Sequence, residues 1–214
     1  MIPKEDQHGT EPDRPRQSGQ RPHTRRCTHR RVYRVRPYAS ENVIADDKLG
    51  KVPLELPEGY RKLGLIKADG APQKGLEAGE ATDLWQEGYS IPGDGKRSIQ
   101  ASLAENNTAV MKLTEGKEPD QNGIVYVDSG LPAAKVILLA VTKFRNGDEE
   151  RLHGVAQVTA MEMDQETTGE PRGKSVTLEW RPDPLFKDKP YKQFGPQPPI
   201  ESSDPEARQT GSSK

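Results

Sequence analysis

Residues 97–116, RSIQASLAENNTAVMKLTEG, read as a strand that runs directly into a short helix. Ile99, Ala101 and Leu103 alternate with Gln100, Ser102 and Ala104, the period-two pattern of a strand with one buried face. Asn106 or Asn107 offers a side-chain cap just before TAVMKL, and Gly116 offers a stop. Val110 and Leu113 stand three apart and share one face of the short helix. A strand, an Asn-capped helix and further strands beyond it predict an antiparallel sheet with one helix packed on it.

Outward from this stretch, residues 134–144 (AKVILLAVTKF) are apolar on both faces, as expected of a central strand covered on both sides. Asn146-Gly147-Asp148 is hairpin-turn chemistry, and residues 150–163 return. Lys174, Val176, Leu178 and Trp180 alternate with Ser175, Thr177 and Glu179, a clean final strand. The last third is therefore expected to be a three-stranded antiparallel meander, with a further strand at residues 124–127 (IVYV) before it. Toward the N-terminus, residues 61–67 read as a strand and residues 68–72 as a turn centred on Asp69-Gly70. Residues 73–96 are glycine-rich and polar, a long loop with one short strand around Trp85. Residues 38–58 form an extended lead-in, where Pro53 and Pro57 demote residues 51–56 to an edge or extended segment.

The order of these signals resembles the major tail protein (tail tube protein) family of long-tailed bacteriophages. The motifs are Leu84-Trp85, a Gly/Asp turn and an alternating strand, then Leu103-Ala104-Glu105-Asn106-Asn107 and Leu113-Thr114-Glu115-Gly116. Leu63-Gly64-Leu65-Ile66 followed by Asp69-Gly70 looks like that family's first core strand and turn. The likeness spans residues 40–181, about two-thirds of the chain. It implies a mainly β fold, an antiparallel sandwich or barrel with one short flanking helix. It also implies a non-enzymatic virion protein of the tail, made in the host bacterial cytoplasm. Such a protein closes into a ring, usually of six copies, and stacks into a tube around a tape-measure protein. DNA passes through the lumen without specific binding, and no cofactor or membrane is involved. On this reading residues 38–58 and 68–96 contribute to ring stacking. Asp69, Gly70, Trp85 and Tyr89 are the candidate subunit contacts, although Trp85 reads equally well as core. A tail terminator or connector, which forms rings that do not polymerise, is the alternative within the same class.

Composition sets the limits. The 214 residues are 31% hydrophobic and 30% charged, with 19 prolines and 20 glycines, against about 45–50% apolar (Gly included) in ordinary globular domains. A folded β domain at 38–181 between a basic, disordered arm at 1–37 and a Pro/Ser-rich flexible tail at 182–214 is expected. The net charge of −1 is unevenly spread: residues 1–37 carry +6, residues 38–181 carry −7, and the tail is neutral. An acidic lumen would repel DNA phosphates and let them slide. The arm raises a reading from another class, nucleic-acid binding by phosphate neutralisation. Arg25, Arg26, Arg30, Arg31, Arg34 and Arg36 are the contacts, with Tyr33 available to stack. The single cysteine, Cys27, excludes an intramolecular disulfide, and no apolar run approaches the length of a membrane span.

Catalytic patterns are missing. The GKS at 173–175 has Thr168 where a phosphate loop needs glycine, and SVTLEW after it reads as strand. His8, His23 and His29 lie in the arm, and His153 stands alone in the folded part, which favours a solvated histidine over a metal ligand. Glu162 and Asp164 share one strand face, which reads as an exposed acidic stripe rather than an acid–base pair. No G-x-S-x-G elbow occurs.

Overall fold

The strand that is apolar on both faces organises the sheet. In the computed structural model, which describes residues 28–201 apart from Glu87, Glu170 and Pro171, this strand is β6 (Val136–Phe144). It lies between β1 (Thr28–Pro37) and β7 (Glu149–Met163), antiparallel to both. β8 (Lys174–Arg181), β5 (Ser90–Leu103) and β4 (Gln73–Asp83) follow on the β7 side, and β3 (Arg61–Lys62) lies outside β1. β9 (Tyr191–Gln197) pairs with the first half of β7, on the edge whose second half takes β8. Two short elements, α1 (Asp46–Leu49) and β2 (Lys51–Val52), lie between β1 and β3, and β2 pairs in parallel with β10 (Ile200–Glu201).

The sheet curls until residues 61–70 bridge its two sides. Leu63 donates its backbone N–H to Tyr33 O on β1 (3.0 Å). Lys67 N–H to Ser102 O (2.9 Å), Ala104 N–H to Leu65 O (2.9 Å) and Ser102 N–H to Gly70 O (3.0 Å) tie the same segment to β5. One core fills the inside: Tyr33 and Val35, Leu138 and Ala140, Leu152 and Val158, Val176, Leu178 and Trp180, and Ile99, Ala101 and Leu103. Helix α2 (Thr108–Glu115) adds Ala109, Val110 and Leu113 to it. The sequence expectation for this helix holds in detail. Asn107 is the cap, its Oδ1 accepting from Val110 N–H at 3.0 Å, and Gly116 closes the helix at φ 72°.

The outer face of β6 is covered as well. Leu139 and Val141 pack with Ile44 and Leu49, and Leu54, Leu56, Tyr60 and Phe194 lie against them. Ile137 and Val155 pack with Phe186. Leu138 and Leu139 face opposite sides of the sheet, and both are 0% exposed. Full burial of each contributes about 1.5–3 kcal/mol.

Four expectations are corrected. The arm does not extend to residue 37, because Thr28–Pro37 is a sheet strand. Tyr33 and Val35 alternate into the core there, while arginines occupy the opposite face, so a basic composition conceals a half-buried strand. Residues 1–27 lie outside the described residues. The tail does not begin at 182, because β9 and β10 continue the fold; Phe186 and Phe194 supply apolar anchors that a Pro/Lys-rich composition hides. Residues 124–127 are not a strand but an exposed extended segment. The loop at 73–96 is instead the β4–β5 hairpin.

His153 is the fifth correction: it is 0% exposed rather than solvated. Its Nε2 accepts from Ile44 N–H (3.0 Å), which leaves Nδ1 to donate to Leu138 O (3.2 Å). Burial holds its pKa down at about 4, from an ordinary 6.5. The unfolded chain therefore takes up a proton below pH 6.5 that the folded protein refuses until about 4. Stability from this group is complete above 6.5 and is lost as the pH falls toward 4, by about 3 kcal/mol at most. In urea unfolding, the wild type is expected to lose about 2 kcal/mol more than His153→Gln between pH 6.5 and 5. Equal losses would show that another group carries the acid sensitivity.

Candidate assembly surfaces

The β4–β5 hairpin extends beyond the rest of the sheet. β8 pairs only with residues 97–103 of β5, so β5 from Ser90 to Lys96 has β4 as its one strand partner among the described residues. Both faces of this ribbon are solvent-exposed almost throughout. A solitary two-stranded ribbon gains little from burial and is marginal by itself. Cross-strand pairing of Glu77 with Lys96 helps hold it. Gly79 and Gly93 face each other where the register shifts, and the strands approach so closely that a Cβ on Gly79 would meet the Gly93 carbonyl carbon at 2.2 Å. Residues without side chains are required on both strands.

Trp85 sits at the ribbon tip and is 100% exposed, and Tyr89 beside it is 69% exposed. Leu84 N–H bonds to Tyr89 O at 2.9 Å, closing the tip. Trp85 is thus not core; the second tryptophan, Trp180, is, at 3% exposure. Leu76 and Ile91 add exposed apolar surface along the ribbon. Asp69 and Gly70 lie at its base, not with the tip residues. Asp69 is exposed and reaches Lys67 at 3.8 Å, and Gly70 packs so closely on Ser102 that a Cβ would meet its Oγ at 2.1 Å.

The arginines proposed for nucleic-acid contact are split. Arg25 and Arg26 lie outside the described residues. Arg30, Arg34 and Arg36 alternate onto the outer face of β1. Arg31 falls on the opposite face with Tyr33, and its Nη1 donates to Pro72 O. Tyr33 is 3% exposed and cannot stack on a base.

An apolar cleft opens beside Val35, Leu113 and Val136, rimmed by Arg36, Arg61, Lys112 and Lys135. Arg61 and Lys112 both pair with Glu118, and Lys135 pairs with Asp183, so three of these four cations are already engaged. Asp164 pairs with Lys67 at 2.8 Å, which turns half of the expected acidic stripe into a cross-sheet tie. Among the described residues, no cluster of His, Cys, Asp and Glu suits a metal ion, and no helix is long and apolar enough to cross a membrane. The ribbon was missed in the sequence because neither face is buried, so no apolar alternation marks its strands; the Gly79/Gly93 spacing was its one local signal.

No protein-family model matches the chain, and no curated protein matches it by sequence. Among solved structures, the tail tube of SPP1, a hybrid solid-state NMR and cryo-EM structure, is similar at 12% identity and a TM-score of 0.39. The likeness covers 70% of this chain and 72% of that one. A similarity this loose fixes neither fold nor function, so the functional reading rests on this chain's own residues.

In hydrogen exchange, the amides of residues 76–86 and 88–91 are expected to exchange before those of β6 and of residues 151–156 of β7, which are buried on both faces. Protection of the ribbon equal to that of β6 in dispersed subunits would show it to be part of the global folding unit.

Proposed function

We propose that this chain is a structural subunit of a phage tail tube: it closes into rings, on the family pattern of six copies, that stack into a conduit for DNA. The observation that carries this reading is the projecting ribbon with Trp85 fully exposed at its tip. A tryptophan in water forgoes one of the largest apolar burial gains available to a side chain. Two-stranded ribbons with bare aromatic tips gain stability when a partner covers them, and a tube offers the same partner surface at every level. The order of motifs over residues 60–116 supports the same reading through the family resemblance. The reading assigns Trp85 and Tyr89 to contacts between stacked rings, residues 68–72 to the base of that contact, and tape-measure and other tail proteins to the partners. It includes no catalysis and no cofactor.

The test uses purified full-length protein, negative-stain electron microscopy and the fluorescence of Trp85 in a Trp180→Phe background. Stacked rings or tubes are expected, with the emission shifting to the blue and quenching by iodide falling as they form. Trp85→Ala is expected to leave the unfolding free energy of the subunit within about 0.5 kcal/mol of wild type, since it removes a fully exposed side chain. It is expected to abolish stacking. Rings that never stack would favour a terminator or connector. Tubes in which Trp85 stays fully quenchable would remove the ribbon tip from the interface.

A further inference from the structure

Residues 124–127, Ile-Val-Tyr-Val, have the composition of a strand but pair with no strand among the described residues. Ile124, Tyr126 and Val127 are 49%, 77% and 64% exposed. Among the described residues, no backbone hydrogen bond engages the N–H of Val125, Tyr126 or Val127. The segment is nevertheless held in place: Asp120 Oδ1 accepts from the N–H groups of Asn122 and Ile124, and Lys117 Nζ reaches Tyr126 O and Asp128 Oδ1. An apolar, extended, tethered and unpaired segment is an unusual thing to leave on a surface.

The same fold contains an edge that lacks a strand. β3 covers β1 only at Arg34 and Val35, and Leu63 adds one bond to Tyr33. Below that point, the edge of β1 away from β6 borders an open slot. Arg30, Arg31 and Val32 line one side and Leu65, Ala71 and Pro72 the other, with Arg31 Nη1 reaching across to Pro72 O at one end. Arg31 Nε is buried there without an acceptor. The lining carries Arg30, Arg31 and Lys62 against one carboxylate, Glu105, while its fourth cation, Lys67, is already paired with Asp164 and Asp69. The unpaired segment is apolar between two acids, Asp120 and Asp128. The two surfaces are therefore complementary in hydrogen bonding, in apolar character and in charge.

They do not meet within one subunit. Asn107, at the start of α2, lines the slot, whereas the segment is tethered through Lys117 just past the helix end. The helix between them is about 12 Å long. We propose that residues 123–128 act as a donated strand that fills the β1 slot of a second copy of this chain. Donor and acceptor are different surfaces, so the contact is heterologous and closes a ring wherever the rotation between copies allows. The inference rests on the self-assembly proposed above and names the lateral contact within a ring, separate from the ribbon tip.

The experiment compares full-length wild type with Val125→Pro and Tyr126→Pro by light scattering and electron microscopy, with circular dichroism as a check on the subunit fold. Neither N–H is bonded in the isolated subunit, so both variants are expected to fold. On a paired strand, one of the two N–H groups must face the partner, so one variant is expected to raise the concentration needed for ring formation by about tenfold or more. A charge exchange supplies a second arm. Arg30→Glu and Asp128→Arg are each expected to weaken ring formation about two- to fivefold, and the double variant to recover it. If both proline variants and both charge variants assemble as wild type does, the donated strand is wrong while the tube reading stands. If the wild type forms no ring at any concentration, with or without tail partners, both fall together.

Discussion

A strand apolar on both faces cannot lie on the surface of anything. β6 buries Leu138 and Ala140 on one side and Ile137, Leu139 and Val141 on the other. That requirement shapes the whole chain. On the inner side the sheet must curl over and meet itself, which residues 61–70 accomplish by bonding to β1 and β5 in turn. On the outer side something other than sheet must supply a second layer. The chain uses residues 38–60 and the short turn at Pro184–Phe186 for this, and Phe194 of strand β9 lies alongside. Compositional bias at the ends is therefore a poor guide to where this fold stops.

An irregular layer has a difficulty that a sheet does not: its backbone groups lack ladder partners. Two buried polar residues of β7 answer it. Arg151 is 2% exposed and donates from Nη1 to Leu49 O (2.7 Å) and Lys51 O (2.8 Å), while its Nε and Nη2 bond Glu149. Burial alone would raise the Glu149 pKa, but the bonds from Lys143 and Arg151 outweigh it and keep the carboxyl ionised. Phe194 covers the guanidinium at 5.6 Å. His153 bonds Ile44 N–H in the same layer and sits edge-on to Phe186 at 5.1 Å. Breaking such a network by deleting one charge leaves the other buried and costs about 3–5 kcal/mol, more than many single hydrophobic truncations. The outer layer is thus fastened by polar atoms and filled by apolar ones.

Legibility in the sequence follows burial. Residues 97–116 and 134–181 were readable because each buries alternate residues or a complete strand, so period and burial coincide. β1 was not, because three of its outward positions are arginine and composition masked the alternation of Tyr33 and Val35. Residues 124–127 were misread for the opposite reason: the sequence has strand character, but a strand also needs a partner, and sequence does not reveal that none lies within reach. His153 looked solitary and therefore solvated, whereas its partners are backbone atoms, which no side-chain pattern can announce. Of the candidate contacts, Trp85 and Tyr89 were proposed from residue type alone, and their exposed position at the tip of a ribbon was beyond reach, since two-sided exposure erases the period that would mark the ribbon's strands.

The ribbon also needs protection from itself. A long exposed two-stranded arm invites edge-to-edge pairing with other arms. Glu77, Glu80 and Asp83 lie along β4, so two such edges brought together would set like charges against one another. Pro92 lies in the part of β5 beyond the reach of β8, where it removes one donor from the ribbon. The register shifts at Gly79 twist the ribbon locally. These features discourage pairing along the arm, yet they leave Leu84, Trp85 and Tyr89 bare at the tip. A surface that resists lateral association while keeping its end adhesive suits a contact made end-on, into a pocket, rather than along a sheet edge. In the tube reading this separates two jobs that a single interface would confuse. On that proposal the tip is the contact between rings, and contact within a ring is assigned to the body of the domain, where the open edge of β1 is found.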